Sequence, residues 1–554
     1  MSKSQWDETV DFLIVGSGAG SMAAALFVVS IGREPLILEK TDKIGGSTAM
    51  SGGLLWIPNH PLQRAAGVKD SLEAGRRYMD AAVGHDAGPG ASPARKEAFL
   101  RTGPPMIEFL QAQGMKFVRA EGWSDYYDDL EGGCSRSRSL GAPMLDSREM
   151  GPLFDKLRMG PMAMPLPVDQ TRNITLATRT LPGMIQGARM LLRMRKAART
   201  GKPILSYGGS LQGRMLMVAN GKGVRIWTGT GVVDLIEEGG RVVGVLAERG
   251  GERLRIRARD GVLINAGGFS HSKGLREKYG PKPASTAWTN ANPGDTGEMI
   301  EIAQAHGAAL DLMDQAWWVP GTLPPDGQVF MHVTCLSKPH CIVVDRRGKR
   351  IMNESQSYMA NGHALYAAGV PAWAVMDSRH RRRYAWGTQP PGVTPPSWES
   401  SGYMLKADTI DELARKMGLE PAALSAEVQR FNGFARTGKD LDFHRGERAY
   451  DTWYGDPTVK PNPNLGAIDK PPFLAFKVFP GDVGTAGGIV TDEHARVLRD
   501  DGSAIAGLYA TGNSTASVMG RCYPGAGASI GASFVFAWLA AHHAAGRAAP
   551  EQTV

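Results

Sequence analysis

The stretch VDFLIVGSGAG, Val10 to Gly20, limits what this chain can fold into more than any other segment. Val10 to Val15 is a short apolar run bounded by glycine, the pattern of a buried strand. SMAAALFVVSIG follows as an Ala-rich helix that stops at Gly32, and EPLILEK follows as a second strand that ends on Glu39. Together they form a βαβ unit. Gly16 permits the tight turn, Gly18 lets backbone approach a pyrophosphate, and the helix start at Ala19 and Gly20 offers N–H groups to its negative charge. Ser21 stands where the fingerprint prefers Gly or Ala. Glu39 lies 23 residues after Gly16, where a carboxylate accepts the hydroxyls of an adenosine ribose. A plain βαβ unit without ligand is the competing interpretation. Strand, helix, strand and terminal acid in register favour a dinucleotide.

At 554 residues the chain exceeds one ordinary core, so two or three domains are expected. Charged residues are 21% and hydrophobic residues 42%, a folded, soluble composition. The net charge of +8 is spread along the chain without an RNA- or DNA-module signature, which argues against nucleic acid as a partner. Cys134, Cys335, Cys341 and Cys522 are too few and too scattered for a disulfide framework, and they fit a reducing compartment. No Cys or His stands at zinc-ligand spacing, and no metal is expected. The N-terminus has no apolar signal core, and the apolar runs at Met22–Ile31 and Phe534–Ala541 fall short of the ~18 residues a spanning helix needs. The expectation is a cytoplasmic protein.

EKTDKIGGSTAMSGGLLW places a second glycine-rich loop directly after Glu39 and Lys40, with Gly46, Ser47, Thr48, Gly52 and Gly53. Such a loop can reach past a pyrophosphate toward a ribityl chain and ring, which separates flavin from nicotinamide. Here the chain resembles the FAD-dependent fumarate reductase and succinate dehydrogenase flavoprotein superfamily. The resemblance recurs in GVLINAGGFS (261–270), GKRIMNES (348–355), TAGGIVTDEHARVL (485–498) and GLYATGN (507–513). It implies non-covalent FAD, with Ala266, Gly267, Gly512, Asn513, Ser529 and Ile530 joining the N-terminal residues around it. No second dinucleotide fingerprint is present, so the electron partner is expected to be a quinone or other external acceptor, not NAD(P)H.

The expected fold is α/β with α+β elements, a Rossmann-like FAD-binding domain assembled from N- and C-terminal segments around an inserted catalytic domain. The boundaries read as 1–313 and 481–554 for the first and 314–480 for the insert. The inserted part carries the helical pattern DTIDELARKMG, with Asp408 as the expected N-cap and Gly418 as its stop.

GRCYPGAGASIG, residues 520–531, bears on the reaction. In the fumarate-reducing branch an arginine in this stretch binds substrate carboxylate. Aligning the glycines puts Tyr523 in its place, and GDVGTA (481–486) lacks that branch's histidine. The segment resembles instead the Tyr-Pro-Gly-x-Gly of the 3-ketosteroid Δ1-dehydrogenases, as do YGDPTVKPNPNL (454–465), PGDVGTAGG (480–488), NESQSYM (353–359) and SDYY (124–127). Desaturating a 3-keto ring removes a proton beside a carbonyl and a hydride from the next carbon, and the developing oxyanion needs donors. A neutral phenol supplies one without demanding an anionic substrate. Tyr523 with the Gly527 N–H forms the candidate oxyanion hole. The resemblance assigns proton abstraction to Tyr358 and a supporting phenol to Tyr126, with Tyr127 as rival. A hydrogen bond from that second phenol is expected to favour the phenolate of Tyr358. A Δ4-(5α)-3-ketosteroid dehydrogenase or an ene reductase on the same scaffold is the near alternative, and a non-catalytic sterol-binding flavoprotein the distant one.

The family matches fade between about 150 and 210. There LPGMIQGARMLLRMRKAARTGK places Met184, Ala188, Leu191 and Leu192 on one helical face and Arg189, Arg193 and Lys196 on another, after Met144, Met150, Met159, Met162 and Met164. A domain-packing helix with a solvated basic face is one expectation for 181–199. Peripheral contact with the inner membrane face, through which a lipid-dissolved sterol would reach the enzyme, is the other.

Overall fold

The structure, a computed structural model, describes residues 6–160 and 164–552. Met162 therefore lies outside the described residues. The strand Glu8–Val15 is the middle of an eight-stranded mixed sheet. Pro35–Leu38 and then Arg225–Trp227 pair in parallel on one side of it, with Leu13 opposite Leu36. On the other side lies Glu252–Ile264, Val15 opposite Ile264. The final turn of Glu252–Ile264 pairs in parallel with Ala504–Ala510, Ile264 opposite Ala510. A strand from the C-terminal part thus completes a sheet begun at the N-terminus. Thr230–Glu238 and Arg241–Arg249 form an antiparallel extension of the same sheet.

The helix Ala19–Ser30 packs over this sheet and is buried nearly all round, from Met22 to Val28. Its apolar composition follows from that position, because both its faces are covered. One cover is the C-terminal helix Ala528–Ala544, where Phe534, Val535, Phe536 and Trp538 are all buried. Full burial of such side chains contributes about 1.5–3 kcal/mol each. Gly20 sits directly on the backbone of Ser533, a closeness no Cβ would allow.

A second sheet of six strands, all within residues 316–485, is antiparallel. Phe473–Thr485 is its longest strand, paired with Ala316–Thr322, Ala372–Asp377 and Met404–Ala407. That strand runs straight through the 480/481 boundary expected from sequence, since Pro480 lies opposite Pro320 in the middle of a ladder. Its first residues, Phe473 to Phe476, are buried on both faces, and the buried Pro480 to Asp482 continue the same strand.

The helix Ile410–Met417 begins one residue later than expected. Thr409, not Asp408, is its N-cap, and the Glu412 N–H donates to Thr409 Oγ1 at 3.1 Å. The Glu412 carboxylate in turn accepts from the Asp408 N–H, so the acid expected to cap is the one being capped.

The expectation that 181–199 packs inward on its apolar face is overturned. The helix Leu181–Thr200 forms, but Met184, Leu191 and Leu192 are 52%, 53% and 63% exposed. Its protein-facing side is Gly183 and Gln186, with Gly187 half-buried beside them. Gly183 rests on the Leu176 and Asn173 carbonyls, and Gly187 on Ala177. Glycine lets the helix lie against its own preceding turn, and that leaves the bulky apolar side turned outward.

Candidate active site

The residues expected to hold the dinucleotide converge at the carboxyl ends of four neighbouring parallel strands. Gly16 follows Glu8–Val15, Glu39 follows Pro35–Leu38, Asn265 to Gly267 follow Glu252–Ile264, and Gly512 and Asn513 follow Ala504–Ala510. Ligands of open α/β sheets bind at such a crevice. Gly16 has φ +97°, and a Cβ there would lie 2.2 Å from the Asn265 carbonyl oxygen. Gly18 is the N-cap of Ala19–Ser30 and lies beside the Asn265 amide. That amide explains the departure at Ser21, whose hydroxyl accepts from Asn265 Nδ2 at 2.8 Å.

The buried Glu39 accepts from Ser17 N–H and Ser17 Oγ on one oxygen and from Thr41 N–H and Thr41 Oγ1 on the other. These bonds fix the carboxylate and leave it lone pairs for further donors. Lys40 faces outward instead, bonded to Thr296 and Glu298. The second loop forms the short helix Gly46–Met50. Ser47 Oγ donates to Asp295 Oδ2 at 2.8 Å and accepts from the Asn292 N–H, and Thr48 follows it, half-buried. Gly53, φ +60°, lies against the backbone of Tyr207, while an added Cβ at Gly46 or Gly52 would meet no atom within 4 Å. Ala266 N–H donates to Ser514 Oγ, and Gly267 sits on the Asp295 carboxyl.

FAD fits this arrangement. There is open space for a ligand at Gly46 and Gly52, and two buried amide oxygens of this group of residues, Gln212 Oε1 and Asn292 Oδ1, have no partner among the described residues. Burial pushes Asp295 up to about 7, against the bonds from Ser47 and Asn292 that lower it. Ser17, Gln212, Asn265, Asn292 and Asp295 did not emerge from the sequence. They come from four separate segments, and only the run NPGDTGE gave a local hint of Asp295 in a tight turn.

Beyond the start of the C-terminal helix lie the tyrosines. Tyr126, Tyr358 and Tyr523 come from three distant segments and pack in one cluster, with ring centroids 5.3 Å apart for Tyr126 and Tyr358, 5.3 Å for Tyr358 and Tyr523 and 5.7 Å for Tyr126 and Tyr523. Tyr126 donates to Tyr358 Oη at 3.2 Å. Tyr523 Oη lies 3.2 Å from Ser529 Oγ on the first turn of Ala528–Ala544, next to the half-buried Ile530. Trp317 joins the cluster to the cofactor residues, with its ring 5.1 Å from Tyr523 and its indole N–H donating to Asn513 Oδ1 at 2.9 Å. Gly527, φ +97°, caps the same helix, where its backbone lies on that of Leu54. Tyr127 points elsewhere, its ring under the Arg448 guanidinium.

Burial pushes Tyr358 well above its ordinary value of 10.0, and the adjacent phenols Tyr126 and Tyr523 push the same way. The donor bond from Tyr126 therefore does not produce a phenolate by itself, contrary to the sequence expectation. Burial and the neighbouring phenols act together against ionisation, because an anion here has lost water and meets no cation among the described residues. Tyr126 and Tyr450 are raised by burial likewise. Arg521, the nearest cation in sequence, is 57% exposed and paired with Asp314 at 2.6 Å. Among the described residues no three His, Cys, Asp or Glu side chains gather as metal ligands.

The chain is similar to known proteins over nearly its whole length. The FAD binding domain family matches residues 11–530. A 3-oxosteroid 1-dehydrogenase of Mycobacterium tuberculosis is 41% identical over 97% of this chain and 98% of its own length. A 4-oxocyclohexanecarboxylate 2-dehydrogenase of Sinomonas cyclohexanicum is 33% identical over 98% of this chain and 94% of its own. The crystal structure of 3-ketosteroid Δ1-dehydrogenase from Sterolibacterium denitrificans in complex with 1,4-androstadiene-3,17-dione superposes with a TM-score of 0.90 at 34% identity, covering 97% of this chain and 100% of that one. With its strand-end cradle, its phenol cluster and this likeness over nearly its whole length, the chain belongs to the FAD binding domain family of flavoproteins and, within it, to the 3-oxosteroid 1-dehydrogenases.

Proposed function

We propose that the protein desaturates the C1–C2 bond of 3-ketosteroids, with Tyr358 as base, Tyr126 as its hydrogen-bond partner, and Tyr523 with the Gly527 N–H as the oxyanion hole. The observation that carries this reading is the meeting of three phenols from distant segments beside the cofactor cradle, with the neighbouring Arg521 turned to the surface. The 3-oxo group lies between Tyr523 Oη and the Gly527 N–H, which polarise it. Polarisation acidifies C2, whose proton passes to Tyr358 Oη while Tyr126 holds that oxygen in place. FAD, when bound, supplies the two-electron acceptor at N5 for the hydride that leaves C1. A single donor aimed at a developing oxyanion contributes roughly 3 kcal/mol in a water-excluded site. Tyr358 takes up the C2 proton only as the phenolate, after its own proton has left to solvent, and because burial opposes that ionisation the base form grows as pH rises.

The purified protein, incubated with 4-en-3-one and saturated 3-oxosteroids, a monocyclic 4-oxocyclohexane acid and an artificial acceptor, tests the reading. Product NMR showing a new C1–C2 double bond supports it. Loss of hydrogens at C4 and C5, as a Δ4-(5α) enzyme would give, or no bleaching of the flavin by an anaerobic 4-en-3-one, overturns it.

The substrate path includes a lipid surface in this reading. Residues 170–233 hold eleven Lys and Arg and no Asp or Glu, more positive charge than the whole chain's net +8. Within that stretch Leu181, Met184, Ile185, Leu191 and Leu192 form an exposed apolar stripe flanked by Arg189, Arg193, Arg195 and Lys196. Such a face suits the plane of an anionic bilayer. No helix among the described residues is long and apolar enough to cross one. Co-sedimentation with anionic liposomes is expected and should vanish when 181–199 is removed. In this reading the natural acceptor is a quinone or other external oxidant rather than NAD(P)H.

A further inference from the structure

The loop that carries Tyr523 and Gly527 does not hold its own shape. Gly525 O accepts from the Ala528 N–H within the segment, but three other carbonyls are taken by donors from elsewhere. Pro524 O accepts from Tyr78 Oη at 2.6 Å and from the Tyr126 N–H at 2.9 Å. Ala526 O accepts from Ser139 Oγ at 2.7 Å, and Gly527 O from the Trp56 N–H at 3.1 Å. Gly525 lies flat on the Trp56 indole, where a Cβ would come within 2.3 Å of its ring.

Among these donors Tyr78 stands apart. Its hydroxyl donates to Pro524 O and also accepts from the Tyr127 N–H at 3.3 Å. One oxygen therefore ties the loop of Tyr523 to the loop of Tyr126. Its ring is fully buried, against Trp56 on one side and 5.3 Å beneath the guanidinium of Arg138 on the other. Arg138 is itself fixed, paired with Asp70 at 2.7 Å and Asp125 at 2.8 Å, all three side chains 1% exposed. Asp125 closes the circuit by accepting from the Trp56 indole N–H at 2.7 Å, and it immediately precedes Tyr126. Removing one partner of such a buried network leaves the others uncompensated.

We infer that Tyr78 is a positioning residue for the dehydrogenation, its hydroxyl setting the spacing between the oxyanion donors at 523 and 527 and the phenol at 126. The inference rests on the desaturase reading above. Groups that must meet a reacting ring within a fraction of an ångström lose rate steeply when their support loosens, because donors aimed at the transition state act through geometry.

The test is Tyr78→Phe in the FAD-loaded enzyme, with Tyr523→Phe and Ser139→Ala measured in parallel. Phenylalanine keeps the buried ring and deletes only the shared oxygen. The expected result is a fall in kcat of roughly tenfold to thirtyfold with KM for the steroid within about twofold, since the interaction is realised in the transition state. The deuterium isotope effect at C2 should rise as proton transfer becomes rate-limiting. FAD content and melting temperature should stay near those of the parent, a combination that general loosening of the fold would not give. Ser139→Ala, which frees the same loop at Ala526, should lower kcat by a smaller factor in the same pattern. A Tyr78→Phe enzyme with unchanged kcat and isotope effect, or one whose loss follows FAD content, overturns the inference while Tyr523→Phe still stops turnover. If Tyr523→Phe also turns over normally, the desaturase assignment fails instead.

Discussion

Two parts of this molecule break the ordinary rules of residue placement in opposite directions. Around Tyr126, Tyr358 and Tyr523, polar hydroxyls are taken out of water and given one another as partners. Along Leu181–Thr200, leucines and methionines are left in water with no partner in the chain. Neither arrangement favours the folded monomer. Burying a phenol costs part of its hydration, and exposing Leu192 forgoes about 1.5–3 kcal/mol that an inward orientation would have given. The difference is in what completes each surface. The phenols close on one another inside the fold, beside the cofactor residues, while the leucines point outward with no such company.

The most damaging change to that contrast should be Tyr358→Phe. It deletes the hydroxyl that receives the proton and leaves the ring to pack against Tyr126 and Tyr523. We expect kcat to drop roughly 10³-fold, the middle of the range for a positioned base, with vesicle binding untouched. Single-turnover flavin reduction under anaerobic conditions measures it without interference from reoxidation. Retained turnover would remove Tyr358 from the mechanism.

The pH profile of the unaltered enzyme sharpens the same point. A base acts when deprotonated, and burial holds Tyr358 above the ordinary 10.0 in the protein without substrate. Flavin reduction at low steroid concentration should therefore climb by up to roughly tenfold per pH unit through neutrality, with no plateau below the ordinary phenol range. A plateau near neutral pH would mean that some other group has lowered this phenol, or that a different base is used.

The outward surface has its own test. Leu191→Asp combined with Leu192→Asp places two carboxylates on the stripe without touching its packing side, Gly183 and Gly187. Affinity for anionic vesicles should fall by roughly tenfold or more, since two apolar contacts are lost and two repelled charges gained. Turnover of a detergent-dispersed steroid should be unchanged. Equal vesicle binding by the variant would count against the lipid surface and leave the stripe to a protein partner.

How much of this was legible in the sequence follows the same division. The βαβ unit at Val10 to Glu39 was plain because every determinant is local, from apolar run to positive-φ glycine to terminal acid. The three phenols could be named because each sits in its own short motif, yet their meeting is a product of topology and was supplied by resemblance. Tyr78 had no local mark at all. It lies in the middle of the amphipathic helix Leu72–Ala82, where a buried tyrosine reads as core, and its role depends on Pro524, 446 residues away. The direction of the helix at 181–200 was equally hidden. Periodicity reveals that a helix has an apolar face, but not which way it turns, and here the small residues Gly183 and Gly187 decided that. The boundary near 480 rests on the need for GLYATGN to return to the same FAD, which says nothing of where the strand before it stops, and here Pro480 and Gly481 sit within a paired strand.

The smallest effect concerns how the two regions are joined. Arg179, just ahead of the exposed helix, donates to Asp456 Oδ2 at 2.8 Å, and the same carboxylate accepts from Tyr384 Oη at 2.6 Å. Burial raises the pKa of Asp456, but Arg179, Tyr384 and Thr458 together overcome it and bring it down to about 2 from 3.8. A carboxyl whose pKa is lower when folded adds stability that is present above its unfolded pKa and disappears as pH falls through the folded one. Asp456→Asn should therefore cost roughly 1–2 kcal/mol at pH 7, the low end being set by solvent around the partly exposed Arg179. Urea unfolding of both proteins at pH 7 and again near pH 3 checks the sign, since the difference must shrink at the acid end. The asparagine can still accept from Tyr384, so the loss falls on the Arg179 tether. Trypsin should then cut faster among Arg189, Arg193 and Arg199 while kcat holds, which would show the outer helix to be attached to the catalytic fold through this pair without being part of its chemistry. A parallel loss of kcat would mean that the two regions are coupled, and that the outward helix helps to shape the phenol cluster it was contrasted with.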